Sequence, residues 1–286
     1  MQMTAKSTFV SWEAAVRWLR EHSDQRELVL ACYYDDPLVG AAERYYCSDE
    51  WRAIRMNLDG LQRGTALDLG AGRGIASYAL AREGFAVTSL EPDPSLLVGA
   101  GAIRQLATET ALSINVCEQY SESIPFPDAH FNVVFGRAVL HHARDLGAAC
   151  REVFRVLKPE GRFVAVREHV ISKASDLDEF LMKHPLHKLY GGEQAFVLKE
   201  YLAALRIAGF RRPAILSPLL SPINLFPQTD ESLRREVYSR LERYLPVPDL
   251  IRRSLSQPLP FKLLLKLLTF FDNRPGRLYS FIADKR

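Results

Sequence analysis

The sequence has no C-x-x-C pair. Its four cysteines, Cys32, Cys47, Cys117 and Cys150, are widely scattered. Neither a thiolate zinc site nor a dithiol redox motif is indicated, and the cysteines are expected to be small buried apolar side chains in a reducing compartment. Net charge is nearly absent as well. The 37 basic and 34 acidic residues leave +3 over 286 residues, which gives no reason to expect a general nucleic-acid binder. Long apolar runs are missing: the strongest, 263–271, is broken by Lys266 and is too short to span a bilayer. Stable membrane insertion is therefore not expected. No apolar run follows Lys6, so a secretory signal is not expected and the default location is the cytoplasm. There is no internal repeat and no low-complexity tract. What remains is an ordinary globular composition, 48% hydrophobic and 25% charged. Its length suits one large α/β domain with elaborations, or two small domains.

The stretch that organises the chain is Ala66-Leu67-Asp68-Leu69-Gly70-Ala71-Gly72-Arg73-Gly74. Leu67 and Leu69 have the spacing of a buried parallel strand. Three glycines then strip the turn of side chains, so the backbone can adopt positive φ and approach a ligand, and the following helix turns its free N–H groups toward it. A dinucleotide-binding turn needs G-x-G-x-x-G, and Ile75 occupies the place of its last glycine. That argues against a nicotinamide-type oxidoreductase on the same scaffold.

Around this turn strand and helix alternate from 65 to 169. Strands are expected at 66–69, 86–90, 113–117, 131–135 and 162–168, with helices at 75–83, starting at Pro94, and at 146–157. Lys158-Pro159-Glu160-Gly161 reads as a turn. Such alternation predicts right-handed βαβ units and a parallel sheet. Residues 1–62 read as helices, capped by Ser11 and Ser48, and 198–208 as a helix closed by Gly209. Further strands are expected at 213–216 and 278–282, separated by a proline-bearing insert, 218–276, with helical patterns near 231–244 and 261–271. The last helix is apolar on more than one face and so needs cover on most sides. A homodimer interface, an apolar acceptor, or transient docking on a membrane with Arg252, Arg253, Lys262 and Lys266 would each supply it.

The glycine turn resembles the S-adenosylmethionine (SAM) turn of class I methyltransferases. The resemblance extends over 65–169 and is close to the ubiquinone-biosynthesis type. It is carried by Leu67 to Gly74, Glu91-Pro92-Asp93, Ile124-Pro125-Phe126-Pro127-Asp128 with Phe131, Leu140-His141-His142, and Arg155 to Arg162. It implies a Rossmann-like, doubly wound, mostly parallel seven-stranded sheet with an antiparallel last strand. The units would be an N-terminal helical lid, 1–62, a SAM-binding core, 63–217, a helical insert, 218–276, and a final core strand, 277–286. It also implies SAM as the cofactor, with S-adenosylhomocysteine as product, and a small-molecule acceptor.

Residue by residue, the resemblance places Asp68 at the amino group of the methionine moiety. Gly70, Ala71, Gly72 and Gly74 line the turn. Glu91, at a strand end about twenty residues on, can accept from both ribose hydroxyls, with Pro92 beside it. Tyr120 and Ser121 stand at the adenine edge, where the family usually has an acid and a small residue; Glu118 or Glu122 could take the acid's role. Arg137 joins the cofactor set. His141, Glu168 and His169, at strand ends on the same crevice, are the candidates for removing an acceptor proton. Neighbouring helical positions diverge by about 100°, so His141 and His142 are not expected to face one point. Tyr46 and the stretch His184-Pro185-Leu186-His187-Lys188-Leu189-Tyr190-Gly191-Gly192 are the candidates for acceptor contacts, through Tyr46, His187 and Tyr190 in particular. No metal is expected, because that stretch alone lacks a full ligand set. The function so implied is methyl transfer to a small, hydrophobic acceptor. A catalytically idle SAM-binding relative with a regulatory or interaction role is the alternative.

Overall fold

The computed structural model describes residues 9–244 and 249–286, with the side chains of 244 and 249–252 left aside. Arg252 thus lies outside the described side chains. Four N-terminal helices come first: α1 (Trp12–Glu21), α2 (Arg26–Ala31), α3 (Leu38–Tyr46) and α4 (Asp49–Leu58). Ser11 caps α1, its Oγ accepting from Ala14 N at 3.2 Å, and Ser48 caps α4, its Oγ accepting from Trp51 N at 3.0 Å. Each satisfies a donor the helix itself cannot. The alternating core follows: β1 (Thr65–Leu69), α5 (Ile75–Arg82), β2 (Ala86–Leu90), α6 (Ala100–Thr110), β3 (Ile114–Cys117), β4 (Phe131–Arg137), α7 (Leu146–Val156) and β5 (Leu157–Ile171). After it come α8 (Leu177–Lys183), α9 (His187–Tyr190), β6 (Phe196–Val197), α10 (Leu198–Ala208) and β7 (Ala214–Leu216). The insert contains α11 (Pro222–Leu225), α12 (Asp230–Tyr244), α13 (Asp249–Ser256) and α14 (Pro258–Phe271), and β8 (Arg277–Asp284) closes the chain.

The sheet order is β3-β2-β1-β4-β5-β8-β7, with the short β6 pairing with β5 off this path. From β3 to β5 the pairs are parallel, and β8 runs antiparallel to both β5 and β7. The two faces carry separate cores. Ala66, Val133 and Phe135 meet Trp51 and the helices α3 to α5 on one side. Leu67, Leu69, Val134 and Phe163 meet α7 and α10 on the other. The alternation along β1 decides which residue goes where.

Four expectations change. Among the described residues the seven-strand path gains an eighth, because the two residues of β6 pair with Val170 and Ile171. Residues 158–161 are not a turn ahead of β5, which begins at Leu157. They form an irregularity inside it, between the pairs Phe131–Leu157 and Val133–Arg162, with Glu160 at φ +61°. Pro94 does not start α6. Asp93 accepts from Ser95 N through its carboxylate and from Ala100 N through its carbonyl, and this turn delays the helix to Ala100. Finally, α14 is covered on one side only: Phe261 and Leu265 pack with Leu225, Leu233 and Val237, whereas Leu263, Leu267, Phe270 and Phe271 are exposed.

Candidate active site

Because β1, β2, β4 and β5 are parallel, their carboxyl ends share one edge of the sheet. The strand order reverses between β1 and β4, where open α/β sheets bind ligands. The glycine turn leaves β1 there. Gly72 has φ +54°, and a Cβ on it would meet nothing nearer than Val98 O at 3.9 Å. The space beside it is open for a ligand. Gly70 serves packing instead: a Cβ there would lie 2.2 Å from Val139 Cγ2, so only glycine lets the exit of β4 close over the turn.

Two buried carboxylates face this turn. Glu91 Oε2 accepts from Gly72 N at 2.7 Å and Oε1 from Asp93 N at 2.9 Å. Asp68 Oδ2 accepts from Ser77 Oγ at 2.5 Å, and Ser77 in turn meets Ser89 Oγ at 2.6 Å. Burial pushes both carboxyls up to about 7, against their hydrogen bonds, with the Glu91 charge adding to the rise at Asp68. Neither has a cationic partner among the described side chains. A ligand offering an ammonium group, a positive sulfur and two ribose hydroxyls therefore fits the donor set present, together with the bare backbone at Gly72.

The N-terminal helices are clamped to this edge by Arg73, Glu50 and Arg167, which the sequence did not single out, and by Arg137, which it did. Arg73, inside the glycine turn, donates to Tyr33 O and Asp35 O at 2.9 Å each and pairs with Asp36 at 2.5 Å. Arg137, which the resemblance adds to the cofactor set, is engaged with the N-terminal helices. It makes a two-pronged pair with the fully buried Glu50 of α4, at 2.7 and 3.0 Å, and lies between the rings of Tyr33 and Tyr45. Arg167 approaches Glu50 at 4.0 Å and donates to Ile223 O and Phe226 O at 2.9 Å. One carboxylate thus joins α4, the sheet and the start of the insert. Tyr46 packs edge-on against Tyr78 with Arg82 over its ring. Where the resemblance sets the adenine edge, Tyr120 is half exposed beneath Arg144, and Ser121 Oγ donates to Glu122 at 3.0 Å. Glu118 pairs with Arg104, and Glu122 accepts from Arg144 N at 2.7 Å.

A second cluster stands where β4 and β5 end. Glu168 is fully buried. Its Oε1 accepts from Val139 N and Leu140 N and its Oε2 from His141 N, each at 3.1 Å, and Oε2 also meets His141 Nδ1 at 2.7 Å. Burial raises its carboxyl to about 7 despite those amides. With both oxygens engaged, Glu168 is placed to shape the turn after β4 and to orient His141. That turn is a 3-10 segment, Leu140–His142. Both of its histidines reach the same atom, Glu193 Oε2, His141 Nε2 at 3.7 Å and His142 Nε2 at 3.9 Å. The expectation that the pair diverges fails: the two rings lie with centroids 4.3 Å apart, on one side of the 3-10 segment.

His169 sets its ring edge-on to that of His141, with centroids 4.7 Å apart, and its Nδ1 faces Gly276 O at 3.3 Å. His184 Nδ1 lies 3.9 Å from Glu193 Oε1, which accepts from Tyr190 Oη at 2.9 Å. His187 stands apart, edge-on to Phe9. Burial, reinforced by neighbouring imidazoles, lowers His141 and His169 well below the usual histidine range. At Glu193 burial would raise the carboxyl, but His142, His184 and His141 outweigh it and hold it low. Glu193 escaped the sequence reading, although it directly follows Tyr190-Gly191-Gly192; a carboxylate closing a His- and Tyr-rich stretch was the signal.

The sheet and the glycine turn together define the class I, Rossmann-like methyltransferase fold. Residues 67–165 match the family model described as "Methyltransferase domain". The uncharacterized methyltransferase YcgJ of Bacillus subtilis (strain 168) is 32% identical over 115 residues, 40% of this chain and 44% of that protein. The ubiquinone/menaquinone biosynthesis C-methyltransferase UbiE of Pasteurella multocida (strain Pm70) is 30% identical over 121 residues, 41% of this chain and 44% of that protein. The chain thus spans less than half the length of either relative. Geranyl diphosphate C-methyltransferase from Streptomyces coelicolor A3(2), solved with S-adenosyl-L-homocysteine, matches with a TM-score of 0.55 at 15% identity, over 81% of this chain and 74% of that one. That likeness is one of fold.

Proposed function

We propose that this chain is a SAM-dependent methyltransferase acting on a small, hydrophobic acceptor. The observation that carries the reading is the shared sheet edge. An open glycine turn with two cation-free buried carboxylates lies beside a cluster of imidazoles and one buried carboxylate. When bound, SAM supplies a methyl group already activated by a positive sulfur. The chain's own residues then have to orient and exclude water. Gly72 N and Asp93 N hold Glu91, which is placed to receive the ribose hydroxyls, and Ser77 holds Asp68 for the ammonium group. Arg73, Glu50 and Arg137 keep the lid helices over the crevice.

The acceptor's attacking atom belongs at the cluster of His141, His169 and Glu193. Tyr190 holds Glu193, and Glu168 acts as a positioning group for His141. An acceptor that must be activated for attack is activated there. The insert serves as the acceptor cap: its start is tied to Arg167 and its end brings Gly276 O to His169. The apolar lining of such a cap suits a polyketide, quinone or lipid-like compound. Mass spectrometry of the full-length protein with SAM and a panel of such compounds tests this. A product one methylene unit heavier, with S-adenosylhomocysteine in equal amount, supports the reading. SAM binding without any product across the panel speaks against the acceptor class.

A further inference from the structure

We infer that His141, His169 and Glu193 form a binding site for a divalent transition-metal ion of the zinc type. No metal is expected from the sequence, which has no cysteine pair and offers two histidines in one stretch of 184–192. The fold supplies what that stretch lacks. It brings one ligand atom each from His141, His169 and Glu193 within 4.8 Å of one another. Tetrahedral ligands at the usual bond lengths sit about 3.4 Å apart. His141 Nε2 and Glu193 Oε2, at 3.7 Å, are already close to that spacing. They are also too far apart to hydrogen-bond to each other.

The second argument is tautomeric. His141 Nδ1 is held by the Glu168 carboxylate at 2.7 Å, and His169 Nδ1 faces the Gly276 carbonyl at 3.3 Å. His142 Nδ1 likewise faces Gly192 O at 3.1 Å. The two carbonyls can only accept, and Glu168 in its ionised form accepts likewise. Each imidazole therefore carries its proton on Nδ1 and keeps a lone pair on Nε2, and for His141 and His142 that nitrogen faces Glu193. This is the outer arrangement that orients metal-binding histidines. A third observation is independent of both. His184 Nδ1 is buried beside Glu193 without any hydrogen-bond partner. Imidazole nitrogens with a single carboxylate select zinc and its first-row neighbours over magnesium or calcium, which prefer oxygen.

Three protein ligands leave coordination positions for an acceptor oxygen. The inference rests on the proposed methyl transfer and deepens it. The ion would polarise an acceptor hydroxyl, whose proton leaves to solvent. The oxygen lone pair then forms the bond to the methyl carbon as the carbon–sulfur bond breaks, its electron pair staying on sulfur. The histidines here serve as ligands, not as bases.

The test is calorimetric titration of the chelator-treated full-length protein with Zn2+ and with Co2+, and the visible spectrum of the Co2+ form. The expected result is one ion per chain and ligand-field bands of low coordination number. Affinity should fall by at least ~10–100-fold in His141→Ala, His169→Ala and Glu193→Gln. His187→Ala, outside the cluster, keeps wild-type affinity. Circular dichroism identifies any variant that fails to fold, and Glu193→Gln, which keeps the shape of the side chain, covers that case. Absence of saturable binding, or equal binding by Glu193→Gln and His169→Ala, overturns the inference. SAM titrated in parallel separates the two readings. SAM binding without metal binding overturns the metal site alone, and metal binding without SAM binding overturns the methyltransferase reading.

Discussion

Removing one buried charge should show how strongly the N-terminal helices are fastened to the sheet. Glu50 is fully buried, and its carboxylate is shared by Arg137 at 2.7 and 3.0 Å and Arg167 at 4.0 Å. Glu50→Gln keeps the shape but leaves two buried guanidinium groups without a counter-charge. Breaking such a pair costs about 3–5 kcal/mol, because an uncompensated charge remains in a medium that solvates it poorly. For a chain of this size about 2 °C of melting temperature corresponds to 1 kcal/mol, so Tm should fall by ~6–10 °C. Differential scanning calorimetry reads this directly. The pair also predicts non-additivity. Glu50→Leu with Arg137→Met should recover much of the loss, because apolar groups of similar volume replace charges that are costly to bury. A Tm within about 2 °C of wild type for Glu50→Gln, or strictly additive losses in the double variant, would refute the reasoning.

Other outcomes follow from the same coordinates. Asp68 and Glu91 titrate near 7 in the folded chain, well above their ordinary values of 3.8 and 4.5. Between those values and 7 the folded state holds more protons than the unfolded one, so their contribution to stability falls as pH rises through that window. SAM, being cationic, favours their ionised forms. Its affinity should rise from about pH 5 to 8 with proton release on binding, seen by calorimetry in buffers of different ionisation enthalpy; a flat profile contradicts the assignment. Glu91→Ala should weaken SAM binding by about 1–3 kcal/mol through loss of charge-assisted bonds, and an unchanged Kd speaks against the ribose contact. Leu263→Ser and Phe270→Ser, on the exposed face of α14, should change stability by less than ~0.5 kcal/mol each. A larger, concentration-dependent loss of Tm would reveal that face as a dimer interface.

Much of the scaffold was legible because it rests on local signals. Gly70, Gly72 and Gly74 all take positive φ, as a turn that bares its backbone requires. The helix at 198–208 is found at those residues because Gly209 ends it, and β7 and β8 lie where two short apolar runs flank the insert. Glu91 was readable from its distance to the turn. What escaped is what only packing creates. No local signal marks Glu50 or Arg73 as buried, yet both are, where the N-terminal helices meet the sheet. Glu193 joins His141 across about fifty residues of chain, a proximity no spacing rule carries. The irregularity at 158–161 was misread because a strand can absorb a proline and a glycine at a bulge and continue.

The most direct test of the central claim is the binding of SAM to the full-length protein, measured by calorimetry beside its Gly72→Val variant. A Cβ at Gly72 meets open space, so the variant loses only the room for a ligand and the ease of φ +54° in the turn. The account predicts one SAM per wild-type chain, no detectable heat with NAD, and no SAM binding by a Gly72→Val protein whose circular dichroism is unchanged. Equal SAM affinity in both proteins, or binding of NAD in place of SAM, would contradict it.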